Sequence, residues 1–492
     1  MRQLQLDFVM NSMISRWLRI LNIIEKEPTF TLVSLAERLT VSQRTLVKDI
    51  NEIKQYFGDS IDLQARPVGF YFKERKHACY LEKKADLVDS EILFKVMKQI
   101  FMGNLKTIQE LAYEYNYGES TFRRFLIRAE KALTPYDLRF SLNPVELIGN
   151  EENIRKFFYD FYYVGDYTRH TIRPPKELHS LVLEQLADQL DHYELGTGLP
   201  PSAVYFLLYL TMTRVRQNRY VAVVPWVKER VEKEKDFHLL YSLQEQMMKE
   251  FGVEVPKEEF IWLYVVLITQ RTIYDRVQEK RFFERFNHWP SIETLAEKYL
   301  SDPKLDGWDH KILVDFLASF LVSKTLTQVI HPVWNKQQIE EVDRVKMDFP
   351  ETYQINYQFL KKHQQVLKLP APYFEDIVVG FTLFNTLLLK AYQPGKTILF
   401  LLEGDALTVQ GIRQHAIHQL GQSHQLLFLQ LKELTMEQID SEPIDLVVTN
   451  YRPYLWDFLL EKDYLIINTP PNDSDWLRVT QQLNQQSPPT IL

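Results

Sequence analysis

The chain of 492 residues contains a single cysteine, Cys79. One cysteine excludes a disulfide framework and any zinc or iron–sulfur site built from thiolates, and it suits a reducing cytosol. Glycine is also scarce, with 15 residues, which disfavours glycine-rich nucleotide-binding loops. The N-terminal residues lack the basic-then-apolar pattern of a secretory signal. Since no uninterrupted apolar run reaches the roughly 20 residues that a membrane helix needs, we expect a cytoplasmic protein with no membrane partner.

Acidic residues outnumber basic ones, with 65 Asp and Glu against 58 Lys and Arg and a net charge of −7. This balance excludes a protein that is coated on all sides with basic side chains for nucleic acid. The charge is uneven, because residues 1–160 hold 24 basic and 22 acidic residues whereas residues 161–492 hold 34 and 43. The N-terminal third is therefore the part that we expect to meet a polyanion.

Residues 14–57 show the apolar spacing of three short helices. The stretch Leu35–Leu46 (LAERLTVSQRTL) predicts two helices joined by a turn at Thr40-Val41-Ser42, with Ser42 capping the third helix. Two short strands with a turn near Pro67-Val68-Gly69 are expected to follow. This order is typical of a winged helix-turn-helix, which places its third helix in the major groove of duplex DNA.

The same pattern recurs at an offset of 76 residues, where Leu111–Phe122 (LAYEYNYGESTF) aligns without gaps on the first stretch. The apolar, alanine and threonine positions agree, which indicates a tandem duplication of one small module. Both third helices carry polar and basic side chains that suit base edges and phosphates. The residues predicted to contact DNA are Ser42, Gln43, Arg44, Thr45, Lys48, Asn51, Ser120, Thr121, Arg123, Arg124 and Arg128. The spacing of Tyr113, Tyr115 and Tyr117 favours aromatic core residues over residues that stack on nucleic acid.

The central part of the chain, from residue 165 to 392, has helical apolar spacing throughout. Ser202–Tyr220 resembles His310–Gln328, and Pro256–Thr272 resembles Pro372–Leu388, which predicts a second duplication with a period of roughly 110 residues. After Pro394-Gly395 the pattern changes to strands that alternate with helices or long connections. That change predicts a small parallel α/β sheet at the C-terminal end.

The sequence contains no complete catalytic or cofactor-binding motif of the kinds considered below. Gly395-Lys396-Thr397 resembles the end of a phosphate-binding loop, but it precedes its strand and lacks the first glycine of the motif. The sequence contains no Gly-x-Gly-x-x-Gly, His-Glu-x-x-His or Gly-x-Ser-x-Gly pattern. We therefore expect no enzymatic activity, no catalytic residue, no metal site and no cofactor.

The order of these parts resembles the Mga/AtxA family of Gram-positive transcriptional regulators along essentially the whole chain. The stretches that carry the resemblance are LAERLTVSQRTLVKDI, ELAYEYNYGESTFRRFL followed by NPVELIGNEENIRKFFYDFY, and KTILFLLEGDALT. It implies a multidomain, mainly α fold with two winged helix-turn-helix modules, two all-helical PRD-like domains (phosphotransferase-system regulation domains) and a C-terminal small α/β domain like enzyme IIB. The implied segments are, in that order, 1–75, 76–162, 163–285, 286–393 and 394–492.

The resemblance also implies a function. The chain would be a DNA-binding activator of virulence or carbon-linked genes, bound to double-stranded promoter DNA as a homodimer or higher homo-oligomer. Its helical domains would receive phosphate on histidine from the phosphorelay protein HPr. The candidate histidines are His192, His310, His331 and His363. Where related domains carry an acceptor histidine, this chain has Tyr209, followed by Arg216, and no cysteine follows the first strand of the α/β region.

Two other functions stay open at this point. A component of the sugar phosphotransferase system would share the helical and α/β parts, although the chain lacks its phosphate-carrying cysteine. An RNA-binding antiterminator would share the helical repeats, but such proteins begin with a small β-rich RNA module, whereas Ile14–Ile53 is helical by pattern.

Overall fold

The structure, a computed structural model, describes residues 1–67, 69–190, 200–369, 371–428, 444–458 and 462–484. The chain forms two compact units: Met1–Glu293 with Asp315–Thr382, and Thr294–Val314 with Leu383–Leu492. The five segments expected from the sequence stay predictions.

The first predicted winged helix-turn-helix is confirmed. Its helices are α1 (Gln3–Leu6), α2 (Ser12–Ile24), α3 (Leu32–Leu39) and α4 (Gln43–Phe57), and its strands are β1 (Thr29–Phe30), β2 (Ile61–Arg66) and β3 (Gly69–Glu74). Strand β3 lies between β1 and β2 in an antiparallel sheet. Leu18, Leu46 and Ile53 are completely buried, so the predicted apolar stripes form the core of the module. Val68 of the predicted turn lies outside the described residues.

The second module repeats this arrangement. Its elements are α5 (His77–Asp86), α6 (Ile92–Met102), α7 (Ile108–Glu114), α8 (Glu119–Leu133), the antiparallel hairpin β4 (Arg139–Leu142) and β5 (Val145–Ile148), and α9 (Glu151–Phe158). Helices α4 and α8 both have 15 residues, and α8 begins at the position that the offset between the two modules predicts. The tandem duplication is therefore present in the helices as well as in the sequence pattern.

The central part is helical, as its spacing predicts. Its helices are α10 (Lys176–Leu190), α11 (Pro201–Arg216), α12 (Pro225–Val231), α13 (Lys235–Tyr241), α14 (Leu243–Phe251), α15 (Lys257–Ile268), α16 (Arg276–Phe286), α17 (Ser291–Tyr299), α18 (His310–Ile330), α19 (Ile339–Asp348), α20 (Pro350–Lys362) and α21 (Phe374–Ala391). Among the described residues, α18 alone is long and apolar enough to cross a membrane by length and composition, and 72% of its apolar window is buried. Lys311, Asp315 and Lys324 interrupt its apolar sequence, and its burial is that of a core helix in a large protein.

The C-terminal part is the predicted parallel α/β sheet. Its elements are β6 (Thr397–Leu401), α22 (Ala406–Leu420), β7 (Gln425–Phe428), β8 (Leu446–Thr449), α23 (Pro453–Phe458), β9 (Tyr464–Ile466) and α24 (Asp473–Asn484). The described strands are ordered β7-β6-β8-β9 and all pair in parallel. Ile398, Phe400 and Val448 form one core with Ile412 and Val479 on the flanking helices.

A buried ion-pair network joins the second module to the helical part of the same unit. Arg155 of α9 is completely buried, with Nε 2.9 Å from Glu151 and Nη1 2.6 Å from Glu259 of α15. Arg214 of α11 also binds Glu151, through Nε at 2.8 Å and Nη2 at 2.7 Å. Trp262 lies 4.8 Å from the Arg155 guanidinium. The network thus fixes α9, the exit from the second module, against α11 and α15.

The pKa values of the two carboxylates in this network are shifted in opposite directions. Burial raises the pKa of Glu259, and its contact with Arg155 compensates only in part. Burial acts in the same direction on Glu151, but the Arg214 and Arg155 guanidinium groups outweigh it and lower the pKa of Glu151. Glu259 is therefore the member of the network whose charge depends most on Arg155.

Candidate nucleic-acid interface

The turn before the third helix has the same backbone geometry in both modules. Thr40 and Asn116 adopt the left-handed conformation, with φ of 53° and 57°. The N–H of Val41 donates to the carbonyl oxygen of Ala36 at 3.1 Å, and the N–H of Tyr117 donates to Ala112 at 2.8 Å. The matching bonds set α4 and α8 in the same relation to the helix that precedes each of them.

The modules differ in how the third helix is capped. The Ser42 side chain accepts a hydrogen bond from the N–H of Thr45 at 3.1 Å, as predicted. Gly118 holds the equivalent position before α8 and offers no side-chain cap. The preceding helix has a threonine cap in both modules: Thr31 accepts from the N–H of Ser34 at the start of α3, and Thr107 forms a reciprocal capping box with Glu110 at the start of α7.

The outer face of α4 carries the residues that the sequence predicts there. The exposed members are Ser42, Gln43, Arg44, Lys48 and Asn51, and Thr45 is half-buried. The side chain of Lys48 is 75% exposed, and its Nζ lies 3.7 Å from Glu52. Such a surface pair contributes little energy and leaves the ammonium group accessible. The face therefore presents the side-chain amide of Gln43 and the cationic side chains of Arg44 and Lys48 to solvent.

Asp49, on the inner side of α4, is an anchor that the sequence analysis did not identify. It is 1% exposed, and it accepts hydrogen bonds from Nη2 of Arg16 at 2.8 Å and from Nε1 of Trp17 at 3.2 Å. In the second module the equivalent position is Phe125, whose ring lies 5.3 Å from Tyr117. An ion pair thus holds α4 at the position where an aromatic contact holds α8.

The outer face of α8 is the more basic of the two. Ser120, Arg123, Arg124 and Arg128 are exposed, and Thr121 is half-buried. Arg123 contacts Glu119 at 3.3 Å and Arg124 contacts Thr121 at 3.2 Å within α8, whereas Arg128 reaches the Met10 carbonyl, 118 positions earlier in the chain, at 3.5 Å. Most guanidinium N–H donors on this face therefore remain accessible to a ligand.

The three tyrosines of α7 and the following turn differ from expectation. Tyr113 is 88% exposed and Tyr117 is 42% exposed, so the core interpretation is wrong for both. Tyr115 is half-buried and stacks on Phe122 with ring centroids 6.3 Å apart. Tyr115 and Tyr117 thus both place their rings against α8, whereas Tyr113 points to solvent because Leu111 and Ala112 occupy the buried side of α7.

The wing of the first module adds one cation that the sequence analysis did not select. Arg66 is exposed at the end of β2, and its guanidinium lies 3.9 Å from the ring centroid of Tyr71. A guanidinium stacked on an aromatic ring is held in place without losing its charge. The signal available in the sequence was a basic residue beside the turn at Pro67.

Comparison with known proteins matches both modules. Residues 81–162 match the family described as Mga helix-turn-helix domain. A second family, described as HTH domain, matches residues 16–70. The capsule synthesis positive regulator AcpB of Bacillus anthracis is 23% identical over 317 residues, which are 62% of this chain and 63% of that protein. These findings confirm the resemblance to the Mga/AtxA family, and the match spans less than two thirds of that relative.

His331 is completely buried between Trp262 and Trp334, each with its ring centroid 6.2 Å away. Neither of its ring nitrogens has a hydrogen-bond partner among the described residues. Burial lowers the pKa of His331 to about 3, so the ring is neutral. A protein partner that transfers phosphate has no access to this ring unless the surrounding core opens.

The other candidate histidines lie in different settings. His310 is exposed at the start of α18, His363 is half-buried, and His192 lies outside the described residues. Tyr209 is half-buried in α11, and Arg216 is exposed at the end of the same helix. Only His310 thus combines a described position with an open surface.

Proposed function

We propose that this protein is a DNA-binding transcriptional regulator, and that α4 and α8 each enter a groove of double-stranded promoter DNA. The observation that carries the proposal is the pair of helices with matched turns, one exposing Gln43, Arg44 and Lys48 and the other Arg123 and Arg124. Helices of this kind supply base contacts from their first turns and phosphate contacts from their flanks. AcpB is named as a positive regulator, which supports activation as the direction of control.

The arginines of α8 provide the test of DNA binding. Sites are first selected from a random duplex library, and affinity is then measured by gel shift over a range of salt concentrations. Arg123→Ala with Arg124→Ala should weaken binding to all duplexes and reduce the slope of log K against log salt by about 0.9 for each phosphate that is no longer neutralised. Arg281→Ala, at an exposed position on α16, is the matched control. An unchanged affinity and slope in the double variant would refute the placement of α8 on DNA.

The first turn of α4 is proposed to read bases. Gln43→Ala with Arg44→Ala should relax the selected sequence and leave the salt slope nearly unchanged, because a base contact discriminates by about 1–3 kcal/mol whereas phosphate contacts carry the salt dependence. Sequencing of the duplexes selected by each variant measures this. Identical preferences in the variant and the unmodified protein would assign α4 another role.

We further propose that the helical region controls DNA binding in the manner of PRD-like domains and that the α/β region, like enzyme IIB, supports a homodimer or higher homo-oligomer. His310 is the candidate phosphoacceptor, because it is exposed. Incubation with phosphoenolpyruvate, enzyme I and HPr, followed by mass spectrometry of peptides, tests this, with His310→Ala as the control. Light scattering with and without the phosphorelay proteins tests oligomerisation. A chain that stays unmodified would remove HPr as a partner.

A further inference from the structure

A cleft of about 480 Å³ opens between the second module and the end of α11. Small-molecule sites in proteins commonly have volumes of about 300–1,000 Å³. The second module lines it with the apolar side chains Ile100, Leu105 and Leu147 and with the carboxylate of Glu146. The opposite wall carries Tyr209 and a set of arginines from α11 and the turn that follows it. The cleft therefore pairs an apolar surface with a cationic one.

The arginines in this wall differ in how fully carboxylates neutralise their charge. Arg214 is buried and is neutralised by its two contacts with Glu151. Arg219 makes a single carboxylate contact, with Nη2 2.8 Å from Glu146. Arg216 contacts no carboxylate among the described residues, and its hydrogen bond goes from Nη2 to the Phe251 carbonyl at 2.8 Å. The excess positive charge of the cleft is therefore the charge of Arg216, and the exposed guanidinium groups of Arg216 and Arg219 both keep N–H donors that no described residue uses.

The carbonyl groups of Arg214 and Val215 at the end of α11 are hydrogen-bonded, so their partial negative charge offsets little of the positive charge in the cleft. The carbonyl oxygen of Arg214 accepts the N–H of Gln217 and of Arg219, each at 3.0 Å, and that of Val215 accepts the N–H of Asn218 at 2.9 Å. Helix ends whose carbonyls are satisfied in this way repel an anion less than open ones do. Tyr209, which is half-buried, lines the cleft beside these groups.

We propose that this cleft binds a small organic phosphate, with the phosphate group on Arg216 and Arg219 and the apolar portion against Ile100 and Leu147. The planar guanidinium fork matches phosphate oxygens in bidentate fashion. A phosphate group carries enough acceptor oxygens for both forks together. The site goes beyond the proposed function because its occupation requires no DNA.

Phenyl phosphate is the probe, because its ring and its charged group lie at opposite ends. Titration calorimetry on the full chain should show phenyl phosphate binding more tightly than inorganic phosphate, with no binding of phenol. Arg216→Gln and Arg219→Gln should each weaken phenyl phosphate by about tenfold or more, as expected for the loss of a charge-assisted bidentate interaction. Glu146→Gln should strengthen it, because the competing carboxylate is removed. Arg281→Gln, outside the cleft, should change nothing.

The strengthening by Glu146→Gln cannot come from damaged folding, so the two directions together separate a site from a structural defect. Absence of phenyl phosphate binding to the unmodified protein would overturn the proposal. Equal affinity in the Arg216→Gln and Arg219→Gln variants and in the unmodified protein would also overturn it. A gel shift with duplex DNA distinguishes the source of the phosphate. Loss of DNA affinity in Arg216→Gln without loss of phenyl phosphate affinity would assign the arginine to the DNA backbone and refute the small-molecule site.

Discussion

Arg155→Met would leave the buried carboxylate of Glu259 without its cationic partner. Glu259 is 1% exposed, and its remaining hydrogen bond comes from the N–H of Val221 at 2.9 Å. Removing one partner of a buried ion pair costs about 3–5 kcal/mol, because the other charge stays desolvated. The variant also removes the guanidinium that lies against Trp262. We therefore expect the free energy of unfolding to fall by about 4 kcal/mol at neutral pH.

Urea titration followed by tryptophan fluorescence measures this loss, since Trp262 lies beside the network. Burial already raises the pKa of Glu259, and loss of Arg155 should raise it further. Between that pKa and the ordinary pKa of glutamate the folded state binds a proton that the unfolded state does not, so the variant recovers stability as pH falls through this window. The recovery is at most about 1.4 kcal/mol per pH unit.

The double variant Arg155→Met with Glu259→Gln removes both charges and should regain at least half of the lost stability. Arg123→Ala, an exposed arginine on α8, should stay within about 0.5 kcal/mol of the unmodified protein. The reasoning would be refuted by a loss below about 1 kcal/mol, or by an equal loss at neutral and at mildly acidic pH.

Two further perturbations test the remaining local claims. His331 should make the protein less stable in acid, because the unfolded state takes up a proton near pH 6.5 and the folded state only near pH 3. The free energy of unfolding should fall by up to about 1.4 kcal/mol per pH unit in that window, and His331→Leu should show a smaller slope in urea titrations; equal slopes would contradict the burial effect. Ser42→Ala should cost about 1 kcal/mol through loss of the cap on α4, whereas Gly118→Ser should gain a few tenths. Thermal unfolding that is unchanged by Ser42→Ala would mean that the cap contributes nothing.

Local pattern was sufficient for the main helices of the two modules and for the strands of the C-terminal sheet, but it did not predict α1 or β1. Apolar spacing and the capping residue predicted α4, the duplicated stretch predicted α8, and the switch to short apolar runs after Pro394 predicted β6 and its neighbours. These features depend on the periodicity of side chains within one helix or strand. That periodicity can be seen in a short stretch of consecutive residues. The exposed DNA-contact candidates followed from the same periodicity, because the face opposite the buried stripe of a helix is its solvent face.

Contacts between distant residues were decided by the tertiary structure. Arg155 and Glu259 are 104 positions apart, and no local pattern distinguishes them from exposed charges. The exposure of Tyr113 and the burial of His331 likewise depend on what packs over each ring. The cleft beside Arg216 exists only because α11 folds back onto the second module. Periodicity tells which side of a helix is buried, whereas the identity of the neighbour that buries it depends on packing across the whole unit, and that packing sets charge pairing, cavities and pKa values.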